Sequence, residues 1–97
     1  MNIKITGRHL DITDALRAYV EEKVERISGH YDKINKVSVI LSIEKYNKKA
    51  EATLHVTGND IHADSVKEDM YAAVDDMVDK LDRQVRHYKR KLTDHRL

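Results

Sequence analysis

The residues in this sequence that are best suited to chemistry are cations gathered toward its end. Three arginines stand at positions 83, 86 and 90, a spacing that places them on one face of a helix. An arginine guanidinium meets two phosphate oxygens at once, so several on one face can meet several phosphates. Further basic side chains flank these three: His87, Lys89 and Lys91. The pattern predicts a nucleic-acid-binding surface, the basic stripe, made of Arg83, Arg86 and Arg90.

Cations near the end of a helix also have a purely structural explanation. They complement the negative end of the helix dipole, just as Glu68 and Asp69 would complement its positive start. However, residues 83–91 hold five Lys or Arg in nine positions, which is more than a dipole requires. RNA binding is therefore the favoured interpretation of the basic stripe.

The overall charge conceals an uneven distribution along the chain. The formal net charge is +1, but residues 1–82 carry 12 Lys or Arg against 16 Asp or Glu, a balance of −4. Residues 83–97 carry six Lys or Arg against one Asp, a balance of +5. The basic end can attract a polyanion, while the acidic remainder limits indiscriminate binding to one.

A second cationic segment lies at residues 45–49, with the sequence Lys-Tyr-Asn-Lys-Lys. Its aromatic ring could stack on a nucleotide base beside three cations. An ordinary solvated hairpin tip has the same composition, and from the sequence alone that interpretation is favoured.

Two histidines, His55 and His62, form a third candidate site. If residues 58–59 make a tight turn, these side chains lie directly opposite each other on neighbouring strands. Two histidines so placed could hold a metal ion, but such a site needs three or four ligands and the chain has no cysteine to complete it. Neither Glu51 nor Asp64 is a compelling further ligand. Surface histidines, with no metal, are the favoured interpretation.

Catalytic patterns are not found in this sequence. Four carboxylates share an exposed helix face, where they should stay solvated and ordinary: Asp75, Asp76, Asp79 and Asp82. The chain has no glycine-rich phosphate loop and no His-Glu-x-x-His pattern. The sequence therefore predicts a protein that is not an enzyme and that uses no cofactor and no small-molecule substrate.

Length and composition limit the architecture. The chain has 97 residues, which predicts a single domain over residues 1–97. The absence of cysteine excludes a disulfide framework and a thiolate zinc site. No apolar run approaches the roughly 20 residues that a membrane span needs, and the alternating start does not resemble a signal peptide. The expected location is the cytoplasm.

Hydrophobic periodicity predicts the elements that must position these residues. Apolar residues alternate in residues 2–8 and again from residue 35, which indicates strands, and recur every three or four positions after Thr13 and after residue 67, which indicates helices. Thr13 is the expected cap of the first helix, and Gly29 lies near its end. The predicted elements are a strand at 2–8, a helix at about 14–29, strands at about 35–44, 49–56 and 60–63 with loops at 46–48 and 58–59, and a helix at about 68–92.

This order, β-α-β-β-β-α, predicts an α+β two-layer sandwich. Strands joined through a helix pair in parallel, and those joined by hairpins pair antiparallel. Each strand has one apolar face, so both helices are expected to cover the same side of a four-stranded sheet. The open side would carry polar residues, among them Lys4, Ser38, Thr53 and His55.

An ordered set of short motifs resembles the ribosome hibernation promoting factor family, which also includes the ribosome-associated inhibitor protein Y. Each motif is weak alone, but the set runs over nearly the whole chain. The motifs are Ile5-Thr6-Gly7, Ile12-Thr13-Asp14-Ala15-Leu16-Arg17, Ala52-Thr53-Leu54-His55-Val56, Ile61-His62-Ala63, Asp69-Met70-Tyr71-Ala72-Ala73-Val74-Asp75 and Asp79-Lys80-Leu81 followed by Gln84.

The resemblance implies a fold similar to a double-stranded-RNA-binding domain and a function on the ribosome. It implies binding to the small subunit and its rRNA between head and body, where messenger and transfer RNA would lie, so that translation is blocked in stationary or stressed cells. The basic residues of both helices are the contacts it implies: Lys23 and Arg26 on the first, and Lys80, Arg83, Arg86, His87, Lys89, Arg90 and Lys91 on the second.

The resemblance also implies a subtype and a partner. The chain lacks the second domain of long family members and the C-terminal extension of protein Y, so it resembles the short promoting type. That type is expected to act with a separate ribosome modulation factor to form inactive ribosome dimers. Nothing in the sequence demands an oligomer, so the protein is expected to be monomeric off the ribosome. Two alternatives remain: a general double-stranded-RNA binder or RNA chaperone, and a protein–protein adaptor that uses the open sheet face around Ile40.

Overall fold

The order of elements follows the hydrophobic periodicity of the sequence. A computed structural model of the chain describes residues 1–94, with side chains as far as Leu92. Its elements are β1 (Asn2–Arg8), α1 (Asp14–Ser28), β2 (Ile34–Glu44), β3 (Asn47–Val56), β4 (Asn59–Lys67) and α2 (Met70–Asp94). The predicted β-α-β-β-β-α order is therefore confirmed.

The four strands form one mixed sheet in the order β1-β2-β3-β4. β1 pairs in parallel with β2, with Ile3 opposite Val37. β2 and β3 are antiparallel, and so are β3 and β4. The parallel pair is the one joined through α1, as expected for a connection that must carry the chain back along the sheet.

The two helices begin where short polar side chains satisfy free backbone N–H groups. The Thr13 hydroxyl accepts a hydrogen bond from Leu16 N at 3.1 Å, and the carboxylate of Asp69 accepts one from Ala72 N at 3.0 Å. Both contacts are helix N-caps. Asp69 caps α2, which begins at Met70, two residues after the predicted start at about Glu68. The predicted Thr13 cap is confirmed.

The core lies between the helices and one face of the sheet. Alternate residues of the central strands, including Val37, Val39 and Leu41, are fully buried, and they join one cluster with the apolar stripes of both helices. Met77, Leu81 and other α2 residues at helical spacing are also fully inaccessible. Both helices therefore cover the same side of the sheet, and the predicted two-layer α+β sandwich is confirmed.

The other side of the sheet is open to solvent and mostly polar. Neighbouring residues form rows across the strands, such as Lys4, Ser38, Thr53 and His62. Ile40 lies on this face and is half-buried by its neighbours. The polar face predicted from the alternation is thus present.

Both hairpin turns differ from their predicted positions. The β2–β3 turn is Lys45-Tyr46, because Glu44 pairs with Asn47, and the β3–β4 turn is Thr57-Gly58, because Val56 pairs with Asn59. Positive φ angles occur at Lys45 (59°) and at Gly58 (78°). Sequence alternation continues through a turn without indicating which residues close it, so the predicted loops at 46–48 and 58–59 were wrong by one or two residues.

Gly7 is expected to be sensitive to substitution because the loop after β1 folds closely over it. A Cβ atom at Gly7 would lie 2.5 Å from the Leu10 carbonyl oxygen, which is backbone and cannot rotate away. We expect Gly7→Ala to lower the free energy of unfolding by about 1–3 kcal/mol, as overpacking typically does. Chemical denaturation monitored by circular dichroism measures this change.

Gly29→Ala is the matched control, since Gly29 has an ordinary helical φ of −70° and a Cβ there would come no closer than 3.3 Å to another atom. Its unfolding free energy should stay within about 1 kcal/mol of the wild-type value. Equal losses for the two variants would contradict the close approach at Gly7.

Candidate nucleic-acid interface

The basic stripe lies on the solvent side of α2, opposite the buried stripe. All three of its arginines are exposed, while Leu81 and Val85 on the opposite face of the same stretch of helix are fully buried. At 1.5 Å of rise per residue, Arg83 and Arg90 are roughly 10 Å apart along the helix axis. The structure therefore brings the three guanidinium groups together on one accessible face, as the spacing predicts.

The stripe and its flanking residues differ in the partners they already have. Arg86 Nη2 lies 3.0 Å from Asp82 Oδ2, and Lys89 Nζ donates a hydrogen bond of 3.2 Å to the His30 carbonyl oxygen. Among the side chains that the structure describes, the following basic residues make no ion pair or hydrogen bond: Arg83, His87, Arg90 and Lys91. These four are exposed and can take an external anion without breaking an internal contact.

Lys80 belongs to a different environment from the basic stripe. Its ammonium lies 3.2 Å from Asp76 Oδ2 and donates to the Asp64 carbonyl oxygen at 3.2 Å, so it holds α2 against β4. Asp76 also accepts a 2.6 Å hydrogen bond from the buried Ser65 hydroxyl. This bond, together with Lys80, lowers the pKa of Asp76. A phosphate at Lys80 would therefore meet a neighbouring carboxylate.

The two cations predicted on α1 are both paired. Lys23 lies 3.7 Å from Asp75 of α2 and 5.3 Å from the centre of the Tyr19 ring. Arg26 lies 3.4 Å from Glu22, one turn earlier on the same helix. Surface ion pairs of this kind are worth about 0–1 kcal/mol, so a phosphate could replace either carboxylate. Both residues are nevertheless less available than Arg83 and Arg90.

Contacts between α1 and α2 fix the orientation of the stripe. The Tyr19 hydroxyl donates a 2.5 Å hydrogen bond to Asp75, and the Tyr19 and Tyr71 rings meet edge to face at 4.9 Å. Further along, His30 Nδ1 lies 2.6 Å from Asp82 Oδ1, and Asp82 also holds Arg86. α2 is thereby joined to α1 through Tyr19 and to the turn after α1 through His30.

The Tyr19–Asp75 hydrogen bond raises the pKa of the Tyr19 phenol to about 12, with burial a smaller cause. A group whose pKa is raised in the folded state contributes stability that is present below its unfolded value and lost as the pH rises through the folded value. The Tyr19 contribution should therefore be complete below about pH 10 and decline toward pH 12.

Ultraviolet titration of tyrosine ionisation tests this assignment. We expect Tyr19→Phe to remove one of the five phenols and, with it, an ionisation near pH 12. In denaturant, the same substitution should instead remove an ordinary ionisation near pH 10. A native difference curve centred near pH 10 would contradict the hydrogen bond to Asp75.

Several tertiary contacts of the site were not foreseen from the sequence. His30 and Asp82 are 52 residues apart in the chain, and Lys89 and His30 are 59 apart. Gln84 donates a 2.7 Å hydrogen bond to the His62 carbonyl oxygen and so anchors α2 to β4 beside Arg83. The sequence shows that His30 and Asp82 could pair, but it shows equally many other such pairs, and it gives no sign of the hydrogen bonds from Gln84 and Lys89 to backbone carbonyls.

The predicted opposition of His55 and His62 is wrong. The β3–β4 turn shifts the register, so His55 faces Asp60 and His62 faces Thr53. His55 Nδ1 lies 2.8 Å from Asp60 Oδ1, and His62 Nδ1 lies 3.0 Å from Thr53 Oγ1. Within the described residues, no group of three or more His, Cys, Asp or Glu side chains could hold a metal ion.

Neither helix in residues 1–94 is long and apolar enough to cross a bilayer.

Comparisons with known proteins agree on one family. The family model described as "Sigma 54 modulation protein / S30EA ribosomal protein" matches residues 3–93. The ribosome hibernation promoting factor of Azotobacter vinelandii is 53% identical over 91 residues, covering 94% of this chain and 85% of the relative. That of Escherichia coli strain K12 is 45% identical over 95 residues, covering 98% of this chain and 100% of the relative.

Solved structures give the same result. A ribosomal subunit interface protein from Coxiella burnetii superposes with a TM-score of 0.87 at 37% identity, covering 92% of this chain and 98% of the other. The N-terminal domain of Thermus thermophilus protein Y superposes with a TM-score of 0.82 at 38% identity, covering 91% of this chain and 99% of the other. This chain belongs to the Sigma 54 modulation protein / S30EA ribosomal protein family.

Proposed function

We propose that this chain is a ribosome hibernation factor that acts as one ribosome-binding domain over residues 1–97. It binds the small subunit in the channel between head and body and excludes messenger and transfer RNA from it. The names of its relatives support a hibernation role, and theirs is a family of ribosome-associated factors rather than enzymes. Ribosomes are cytoplasmic, so we place the protein in the cytoplasm.

The observation that carries the proposal is the state of the basic stripe. Arg83 and Arg90 are exposed, lie on one helix face and have no carboxylate partner among the described side chains. A folded protein gains little from such unpaired charges, whereas a phosphate backbone can meet them bidentately. In this proposal Lys23, Arg26 and Lys80 contribute less to RNA binding than Arg83 and Arg90 do. Each of them must first break its ion pair with a carboxylate of the same chain.

The mechanism is steric occlusion together with phosphate neutralisation, with no bond made or broken. The rigid two-layer fold, about 22 by 19 Å across and 48 Å long, occupies space that the RNA ligands of the ribosome would need. Lys/Arg contacts to phosphates release counterions and supply the affinity. By the same proposal, the bound protein promotes inactive ribosome dimers together with a ribosome modulation factor.

Co-sedimentation with separated ribosomal subunits tests the proposal. Salt-sensitive migration with the small subunit but not the large one is the expected result. About six phosphate contacts would give a slope on the order of four to five for log affinity against log salt. Protein that remains at the top of the gradient at low salt would overturn the proposal. Equal competition by an isolated RNA duplex would favour the general double-stranded-RNA binder instead.

A further inference from the structure

The β2–β3 turn carries an aromatic ring that the fold does not use. Tyr46 is 93% exposed at the tip of the hairpin. The other four tyrosines pair with each other, Tyr19 with Tyr71 and Tyr31 with Tyr88, in edge-to-face contacts. Within the described residues, Tyr46 alone lacks a ring partner, and it offers both faces of its ring to solvent.

The backbone of this turn is unusual for its sequence. Lys45 adopts a φ of 59°, which L side chains rarely take and which hairpin turns normally assign to Gly, Asn or Asp. At the opposite end of the sheet the turn does use a glycine, Gly58, at a φ of 78°. A strained non-glycine residue in a tight turn points to function more often than to stability. Here it keeps a cation directly beside the exposed ring.

Further lysines lie on β3 and β4 at the same end of the sheet. Register places Lys48 opposite Lys67 on β4, and like charges directly opposite each other weaken a sheet. Lys49 lies on the open face, 3.9 Å from Glu51. We define the hairpin patch as Lys45, Tyr46, Lys48, Lys49 and Lys67. The acids nearest to it in the chain are Glu44, Glu51 and Glu68, and among the described side chains neither Lys45 nor Lys48 forms an ion pair with any of them.

The hairpin patch and the basic stripe lie at opposite ends of the molecule. β4 ends at Lys67, within the hairpin patch, and leads into α2. That helix starts at Met70 and runs the length of the sheet toward the Thr57-Gly58 turn. The 14 residues from Met70 to Arg83 span roughly 20 Å of helix. The acids Asp75, Asp76 and Asp79 occupy the stretch between the two cationic ends. One short RNA segment therefore cannot easily cover both.

We propose that the hairpin patch is a second RNA contact, in which the ring of Tyr46 stacks on an unpaired base while the neighbouring lysines meet its phosphates. This inference rests on the proposed function, because the RNA is that of the small subunit. Aromatic rings flanked by cations are the usual device for holding single-stranded nucleic acid, since every base has a π-face. With both ends engaged, the elongated domain bridges two RNA segments on opposite sides of the channel.

The test compares three variants in titrations of purified small subunits: Tyr46→Ala, Tyr46→Phe and a stripe variant in which Arg83, Arg86 and Arg90 are all replaced by Glu. Removing a stacking partner costs on the order of 5- to 100-fold in affinity, so Tyr46→Ala should lose that much. Tyr46→Phe retains the ring and should bind as the wild type does. Because the side chain is exposed, both variants should keep the wild-type melting temperature.

Chemical probing of unpaired bases in the same complexes identifies the partner. At least one small-subunit nucleotide should be protected by the wild type and by Tyr46→Phe but not by Tyr46→Ala. Wild-type affinity of Tyr46→Ala, with binding lost in the stripe variant, would overturn the inference and leave the proposed function intact. Lost affinity with unchanged base protection would also overturn it, and would indicate a protein contact through the exposed Ile43 and Val66. Failure of the wild type to bind small subunits would overturn the proposed function itself.

Discussion

Reversing the charge of the basic stripe, with Arg83→Glu, Arg86→Glu and Arg90→Glu together, should lower affinity for the small ribosomal subunit by at least about 100-fold. Each hydrogen bond between charged groups contributes roughly 1.5–3 kcal/mol, and each new carboxylate adds repulsion from phosphate. The fold should persist because all three side chains face solvent. Equilibrium titration at moderate salt measures the affinity, and thermal melting checks the fold.

Two controls separate a specific stripe from a simple change in net charge. The triple reversal Lys4→Glu, Arg8→Glu and Lys36→Glu alters the same number of exposed cations away from the stripe and should cost much less affinity. The double reversal Arg83→Glu and Arg90→Glu spares the Arg86–Asp82 ion pair and should still weaken binding strongly. Equal losses in the two triple variants would show that net charge, rather than the stripe, determines affinity.

Leu81→Ala is expected to have the largest effect on stability. Leu81 is fully buried in the middle of α2, between the sheet and the solvent-facing stripe. Truncating a buried leucine leaves a cavity and typically costs about 2–5 kcal/mol. In a domain of this size, the corresponding fall in melting temperature is on the order of 10 °C or more. Differential scanning calorimetry measures both quantities.

Leu92→Ala is the matched control on the same helix and the same apolar stripe. Leu92 is 41% exposed, so Leu92→Ala should lower the free energy of unfolding by only a small fraction of the loss expected for Leu81→Ala. Similar losses at both positions would contradict the placement of the core between α2 and the sheet.

The fold was largely predictable because its signals are local and repeated. Alternation in β2 and β3 and the three-to-four spacing in α2 each extend over many residues, so single exceptions do not alter the element type. Thr13 could be identified as a cap because its hydroxyl acts within one turn of the chain. The shared burial side of the two helices follows from strands with only one apolar face.

The turns were less predictable, because their positions depend on single backbone angles. Glycine at position 58 indicates a turn, but it does not show whether this glycine is the first or the second of the two central residues of the turn. No feature of the sequence indicates that Lys45 adopts a positive φ. The predicted register of β3 and β4 is therefore wrong by two residues, and His62 lies opposite Thr53 instead of opposite His55.

The candidate site was predictable in its location but not in its internal pairing. The spacing of Arg83, Arg86 and Arg90 places them on one face whatever the rest of the fold does. By contrast, the partners of Lys23 and Lys89 are set by how α1 packs on α2, which sequence spacing does not encode. The division into free and engaged cations therefore needed the three-dimensional structure.

Directed hydroxyl-radical cleavage tests most directly whether the basic stripe faces small-subunit RNA. The chain has no cysteine, so a single cysteine at His87 or at Lys36 can carry an iron chelate without further changes. Position 87 lies among the stripe arginines, and position 36 lies on the open sheet face. We predict strong cleavage of small-subunit RNA between head and body from position 87, and weaker cleavage from position 36. Bound protein that cleaves from position 36 but not from position 87 would contradict the assignment of the basic stripe as the RNA-binding surface.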